Sequence, residues 1–341
     1  MHLNKKYIKL KIAVVILNWN GRNLLEQFLP SIEKYSENAE IVIADNNSDD
    51  DSIEFVKKNY PSFTIIKNSE NGGYARGYNQ ALQHVDADVF ALVNSDIEVT
   101  KNWLSSIEEL FNSNKDISII QPKILDYKNK NKFEFAGATG GFIDKLGYPY
   151  CRGRVFTEIE EDKGQYNDVS EIFWASGACF FIKSEIFNEL GGFDEDYFAH
   201  MEEIDLCWRA HNLGKKAVYT PYSKVYHVGG ATLSEANSHK TYLNFRNSLF
   251  TILKNAPFNE VPFLIMSRLI LDGVAGIKFI LEGRPKHTFA IIKAHFSFYK
   301  YMKKMLDKRG SKSTFSNKYY IHKSVVFQFY ILGKKHFNDL K

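Results

Sequence analysis

Ile12-Ala-Val-Val-Ile-Leu-Asn-Trp-Asn-Gly21 decides the fold. Its first six residues are an apolar run of strand length, and Asn18-Trp19-Asn20-Gly21 is a polar turn that stops it. An unbroken apolar run reads as a strand buried on both faces, and this one is too short for a signal-peptide core. Working outward, Leu24, Leu25, Phe28, Leu29 and Ile32 fall on one face of a helix. Ile41–Ala44 is a second buried run, ending at Asp45-Asn46-Asn47-Ser48. Ser52 stands where it would cap a helix carrying Ile53, Phe55 and Val56. Phe63–Ile66 reads as a third strand, Asn71-Gly72-Gly73 as a loop, and Gly77–His84 as a helix. Val89–Val93 is a fourth strand, ending at Asn94-Ser95-Asp96. Strand alternating with helix in this way predicts an open, mostly parallel α/β sheet. Ligands of such sheets sit at the carboxyl ends of the strands. The three polar clusters all follow strands, so residues 1 to about 100 read as a nucleotide-binding half.

The rest of the chain is less regular until its end. Glycines 137, 140, 141, 147 and 153 mark turns, and Glu158–Asp168 is an acidic loop. Phe173–Ile182 is apolar, Glu202–Asn212 reads as a helix stopped by Gly214, and Ala217–Tyr219 and Lys224–His227 read as short strands. Pro262–Leu281 and Phe289–Tyr301 are apolar and helical, interrupted by Arg268, Asp272, Lys278, Lys293, His295 and Lys300.

Composition bounds the class. The 341 residues are 44% hydrophobic and 25% charged, ordinary for a globular chain with a large core. Three separated cysteines, Cys151, Cys179 and Cys207, exclude a disulfide framework and a cysteine zinc site. No run reaches the roughly 18 apolar residues of a membrane span. These features predict a cytoplasmic protein. The net charge of +4 is unevenly placed: Asn255–Lys341 holds 16 Lys and Arg against 5 Asp and Glu, so the rest is acidic. A basic end with aliphatic and aromatic stripes suits a membrane interface, on its cytoplasmic face. The competing reading is helices packing on the body or on a second copy, as a homodimer. Nucleic acid fits poorly, because a duplex has no use for aliphatic stripes.

Individual residues leave alternatives open. Asp45 at a strand end can accept hydrogen bonds from a ribose or base, or can simply form a turn. Glycines 72 and 73 allow close backbone approach, and Arg76 can offset phosphate charge. Asp96 can hold a hard divalent cation or close an Asx turn. Glu202, Glu203 and Asp205 crowd a helix start, where they favour the dipole but also raise one another's pKa, as a general base requires. His227 is a metal ligand or a structural histidine.

The order of these features resembles the family 2 glycosyltransferases of the GT-A fold. The residues carrying the resemblance are 14–21 (VVILNWNG), 44–50 (ADNNSDD), 71–79 (NGGYARGYN) and 92–98 (LVNSDIE). They continue with 174–180 (WASGACF), 191–195 (GGFDE), 202–209 (EEIDLCWR) and 225–230 (VYHVGG). Within the family, the rhamnosyltransferase-like enzymes of bacterial surface polysaccharide synthesis are most similar, including the Arg246-Asn247 segment.

The resemblance implies a nucleotide-diphosphate sugar donor, dTDP-rhamnose first, and a glycan or lipid-linked saccharide acceptor. Asn18, Trp19, Asp45, Asn71, Gly73, Arg76 and Ser95 would line the nucleotide. Asp96 matches the metal-binding Asp of the D-x-D motif, and His227 a histidine that joins a Mg²⁺ or Mn²⁺ ion. Glu203 matches the catalytic base of an inverting displacement, and Trp174, Glu202 and Asp205 would lie near the acceptor. Residues 1–237 would form the catalytic region, its acceptor half at about 101–237, with 238–341 a helical tail. Removing the chain from Pro262 onward is then expected to release it from membranes. Two residues depart from the pattern: Asn94 replaces the first Asp of D-x-D, and Glu203 stands where Asp is usual. They motivate a rival reading, a catalytically inactive nucleotide-sugar-binding module. A nucleotidyltransferase, sharing the α/β half, is a third.

Overall fold

The structure is a computed structural model and describes residues 9–229, 237–309 and 318–341. The first half alternates as the hydrophobic pattern predicts: β1 (Ile12–Asn18), α1 (Arg22–Tyr35), β2 (Glu40–Asp45), α2 (Ser52–Asn59), β3 (Thr64–Lys67), α3 (Gly73–Leu82) and β4 (Val89–Asn94). β1 lies between β2 and β4, all parallel, with Asn18 beside Asp45 and Leu17 beside Asn94. The three strand-end clusters therefore share one edge of the sheet. Both faces of β1 are covered, which is why its residues are apolar without alternation.

The sheet then turns mixed. β5 (Ile97–Val99), α4 (Ser105–Ser113) and β6 (Ile117–Asp126) are followed by four short strands that form a small antiparallel sheet. These are β7 (Gly141–Ile143), β8 (Pro149–Cys151), β9 (Arg154–Val155) and β10 (Glu158–Ile159). β11 (Ser170–Ile172), β12 (Cys179–Lys183), α5 (Ser184–Glu189), α6 (Glu202–Asn212) and β13 (Lys216–His227) return to the main sheet. Its order is β11-β13-β6-β12-β4-β1-β2-β3, with β5 paired to β13. β12 runs antiparallel to β4 and β6, while β13 pairs β6 in parallel, so the sheet is mixed beyond β4. β13 is one strand, not two: its register against β6 shifts between Thr220 and Lys224, where Pro221 cannot donate to the ladder.

The chain ends in α7 (Ser238–Asn255), α8 (Val261–Leu281), α9 (Pro285–Asp307) and α10 (Val325–Tyr330). Leu249, Phe250, Leu264, Phe298 and Met305 belong to the same buried cluster as Val15 and Leu206. The segment read as a tail thus shares a core with the rest of the chain.

Candidate active site

The edge where β1 and β2 end is built from amides. Asn18 is fully buried, and its Nδ2 donates toward Asp45 Oδ1 (3.4 Å), Ser48 Oγ (3.1 Å) and Ser52 Oγ (3.0 Å). Asp45 is also fully buried and accepts from the backbone N–H of Ser48 at 3.3 Å. Its carboxylate therefore closes the turn after β2, the structural alternative the sequence left open. Asp51, rather than Ser52, is the residue preceding the first turn of α2. Trp19 is half exposed at the same edge, with Asn20 in the left-handed region at φ 50°, so an aromatic face is free there.

Asn46 and Asn68, which the sequence did not single out as site residues, tie this turn to the glycine loop. Asn46 Nδ2 donates to Asn71 Oδ1 (3.0 Å) and the Gly73 carbonyl (2.9 Å). Asn68 Nδ2 donates to Asn46 Oδ1 (3.2 Å) and the Gly77 carbonyl (3.0 Å). Gly73 has φ 71°, and a Cβ there would collide with the Phe198 carbonyl. That carbonyl accepts from the Tyr74 N–H at 2.9 Å. The contact starts α3 at Gly73, earlier than the apolar pattern indicates. Arg76 is exposed and pairs with Glu70 at 2.6 Å. Ser95 is half-buried beside Asn18 and Gly21.

Asp96 and His227 meet because β5 and β13 pair antiparallel with His227 opposite Ile97. His227 Nε2 lies 3.1 Å from Asp96 Oδ1, and its Nδ1 lies 3.2 Å from Glu134 Oε1. All three are buried. Burial alone would lower the imidazole pKa, but the carboxylates of Glu134 and Asp96 outweigh it and push it up to about 10. Glu134 had no signal in the sequence, because it lies in an irregular stretch. Hard divalent cations often take one or two protein ligands and complete their shell from substrate phosphates. Asp96 and His227 form a pair of that kind. Among the described residues no three of His, Cys, Asp and Glu converge as a metal set. The pair therefore fits an ion that is completed by a diphosphate, and His227 would give up its proton to bind it.

At the head of α6 stand Glu202 and Glu203. Met201 precedes them in the left-handed region at φ 73°. Glu203 is half-buried, and its Oε2 has no hydrogen-bond partner. Burial pushes its carboxyl up to about 7. Glu202 is buried more deeply and raised well above the usual range by burial and by Glu203 beside it.

Two residues expected near the acceptor, Asp205 and Trp174, are buried and hydrogen-bonded within the protein. Asp205 is fully buried and bound to Arg209 (2.8 Å), Lys254 (2.9 Å) and Asn255 (2.8 Å). Burial would raise its pKa, but Lys254 and Arg209 hold it far below the ordinary carboxylate range. It anchors α6 to α7. Trp174 is buried against Gly141, its Nε1 donating to the Phe142 carbonyl at 2.9 Å. Its ring locks the small sheet to the body. Of the motif 225–230, Gly230 lies outside the described residues.

Known proteins resemble this chain in sequence and in fold. N-acetylglucosaminyl-diphospho-decaprenol L-rhamnosyltransferase of Mycobacterium tuberculosis is 24% identical over 233 residues, 63% of this chain and 75% of that one. Low-salt glycan biosynthesis hexosyltransferase Agl10 of Haloferax volcanii is 23% identical over 288 residues, 81% of this chain and 87% of that one. The mannosyltransferase PcManGT of Pyrobaculum calidifontis, solved with GDP-Man and Mn²⁺, has the same GT-A fold at a TM-score of 0.54 and 15% identity. That likeness covers 86% of this chain and 88% of PcManGT. The model of the family described as "Glycosyl transferase family 2" matches residues 13–191, from β1 to the loop before α6, and the chain belongs to that family.

Proposed function

We propose that this glycosyltransferase moves a sugar, with inversion, from a nucleotide-diphosphate donor to a hydroxyl of a glycan or lipid-linked saccharide in surface polysaccharide synthesis. The observation that carries the reading is Glu203: a half-buried, unpartnered carboxyl at the head of α6, with its pKa brought near neutrality by burial. It would take the proton of the acceptor hydroxyl as that oxygen bonds to the anomeric carbon. The bond from that carbon to the diphosphate breaks, and its electron pair leaves on the nucleoside diphosphate. Glu202, buried beside Glu203, would border the acceptor. Trp19, Asn71, Gly73, Arg76 and Ser95 would line the nucleotide, with Asn18 and Asp45 shaping the turn beneath it. Asp96 and His227 would hold Mg²⁺ or Mn²⁺, which when bound neutralises the charge of the leaving diphosphate.

The similar mycobacterial enzyme is named for L-rhamnosyl transfer to a diphospho-decaprenol acceptor. That supports dTDP-rhamnose as the first donor to try, with UDP-sugars next. It also supports work at the cytoplasmic face of a membrane, where a lipid-linked acceptor is held. No helix among the described residues is long and apolar enough to cross one.

The test is release of nucleoside diphosphate from a panel of nucleotide-sugars, with a lipid-linked acceptor and either metal. Turnover that Glu203→Gln abolishes supports the reading. Tight diphosphate binding with no turnover on any donor would leave the inactive binding module in its place. Pyrophosphate from a nucleoside triphosphate would point to a nucleotidyltransferase.

A further inference from the structure

α8 is turned the wrong way round for an ordinary surface helix. Such a helix faces its apolar stripe to the core and its charges to water. Here Arg268 and Asp272, in the middle of the apolar run, point inward and are buried. Arg268 donates to the Gly147 carbonyl at 3.1 Å and lies over the Tyr148 ring at 3.8 Å. Asp272 lies 3.1 Å from His295 Nε2 of α9. The outward face is apolar instead. Phe263, Met266, Ile270, Val274 and Ile277, at spacings of three and four, are each at least 59% exposed.

α9 runs beside α8, joined by Thr288 Oγ1 donating to the Gly276 carbonyl at 2.7 Å. It carries a second exposed stripe of Phe289, Ile292, Phe296 and Tyr299. Along the flank of that stripe Lys286, Lys293 and Lys300 recur every seven residues, on one line of the helix. None of the three has an ion-pair partner among the described residues. Lys278 at the end of α8 lies 5.0 Å from the Tyr330 ring of α10, where Phe327 and Ile331 are also exposed. The apolar surface thus runs across three helices. Such a patch marks an interaction site.

We propose that this face of α8, α9 and α10 is where the protein lies on a lipid leaflet carrying anionic headgroups. The apolar stripes would enter the acyl boundary, and the row of lysines would meet the phosphates beside it. Charge complementarity decides the occupant. A second copy related by a two-fold axis would bring the same unpaired lysine rows together, whereas an anionic leaflet neutralises them. This deepens the membrane placement proposed above. Vesicle binding is read without turnover, so it fails or succeeds independently of the transfer chemistry.

The full chain is sedimented with vesicles of phosphatidylcholine alone and of phosphatidylcholine mixed with phosphatidylglycerol. Binding to the mixed vesicles is expected to be at least about tenfold stronger. The triple variant Phe263→Ser, Ile270→Ser, Ile277→Ser should lose that binding while keeping the melting temperature of the parent, since these side chains are outside the core. Lys286→Glu, Lys293→Glu, Lys300→Glu together should remove the preference for anionic lipid. Equal binding to both vesicles, or binding to neither, overturns the proposal. A dimer in light scattering that the serine variant dissolves, without vesicle binding, assigns the face to a second copy.

Discussion

Glu203 and Asp205 stand two residues apart, and the structure gives them opposite fates. Two positions on a helix differ by about 200° in direction, so one can face the site while the other faces the core. A base must lose its proton before it can work. With its carboxyl pushed up to about 7 by burial, Glu203 should give a transfer rate that rises with pH and levels above about 7. Glu203→Gln should remove that limb and about 10²–10⁴ of the rate. A pH–rate profile that keeps the limb in a folded variant would exclude the residue as base. The same shift acts on stability. The native carboxyl binds its proton more tightly than the unfolded chain, so this contribution declines as pH rises from 4.5 to about 7. Asp205 has the reverse sign: lowered in the fold, it stabilises above pH 3.8 and is lost as pH falls. Asp205→Ala would strip Lys254 of a buried partner and should cost about 3–5 kcal/mol in urea unfolding. A sequence shows three carboxylates at a helix start. It does not show that Lys254 waits below one of them, 49 residues along the chain.

At the scale of elements, the segment between α5 and α6 connects the two sides of the site. Phe198, His200 and Met201 all have φ between 65° and 73°, a region that side chains other than glycine avoid. α7 holds them there. Asn247, fully buried, donates from Nδ2 to the carbonyls of Tyr197, Ala199 and His200 at 3.1, 3.0 and 2.7 Å. Arg246 adds bonds to the carbonyls of Asp196 and Tyr197 at 2.9 and 3.1 Å. One end of this turn seats Phe198 on Gly73, and the other aims Glu203. Asn247→Leu leaves these carbonyls without their side-chain donor, so a loss of at least about 2 kcal/mol is expected. In protein that remains folded, kcat should drop by about a hundredfold, as misplacement of a reacting group by about 1 Å does. An unchanged kcat would mean the turn holds itself. The regular elements were legible because apolar period reports them: β1, β2, β4 and α6 stand where their patterns put them. The early start of α3 was not, because its capping carbonyl comes from Phe198, more than 120 residues along the chain. β13 read as two strands because a bulge at Pro221 interrupts the pattern without ending the strand.

At the scale of the whole molecule, ion pairs tie α7 and α9 to the acidic body. Lys254 of α7 binds Asp194 and Asp205 at 2.6 and 2.9 Å. Lys304 and Lys308, in and just after the last turn of α9, both reach Asp196, at 2.6 and 2.7 Å, and Lys308 also binds Asp194. α9 therefore grips the same loop that α7 clamps. This alters what a truncation should do. Read as a membrane-binding tail, the chain from Pro262 onward should, when removed, release the protein from membranes. Its removal would instead take Leu264, Phe298 and Met305 out of the shared core, at about 2–5 kcal/mol for each large side chain. It would also leave Asp194 and Asp196 without their α9 lysines. A domain of this size is stable by only about 5–15 kcal/mol. The truncated chain should therefore melt far below the parent, or be recovered aggregated, and lose nucleoside diphosphate binding along with membrane binding. A truncated protein that keeps the parent's melting temperature would show that the core closes without α8 and α9. The exposed-face serine variants separate the two roles, because they alter what the helices show to a membrane and leave the core they complete intact.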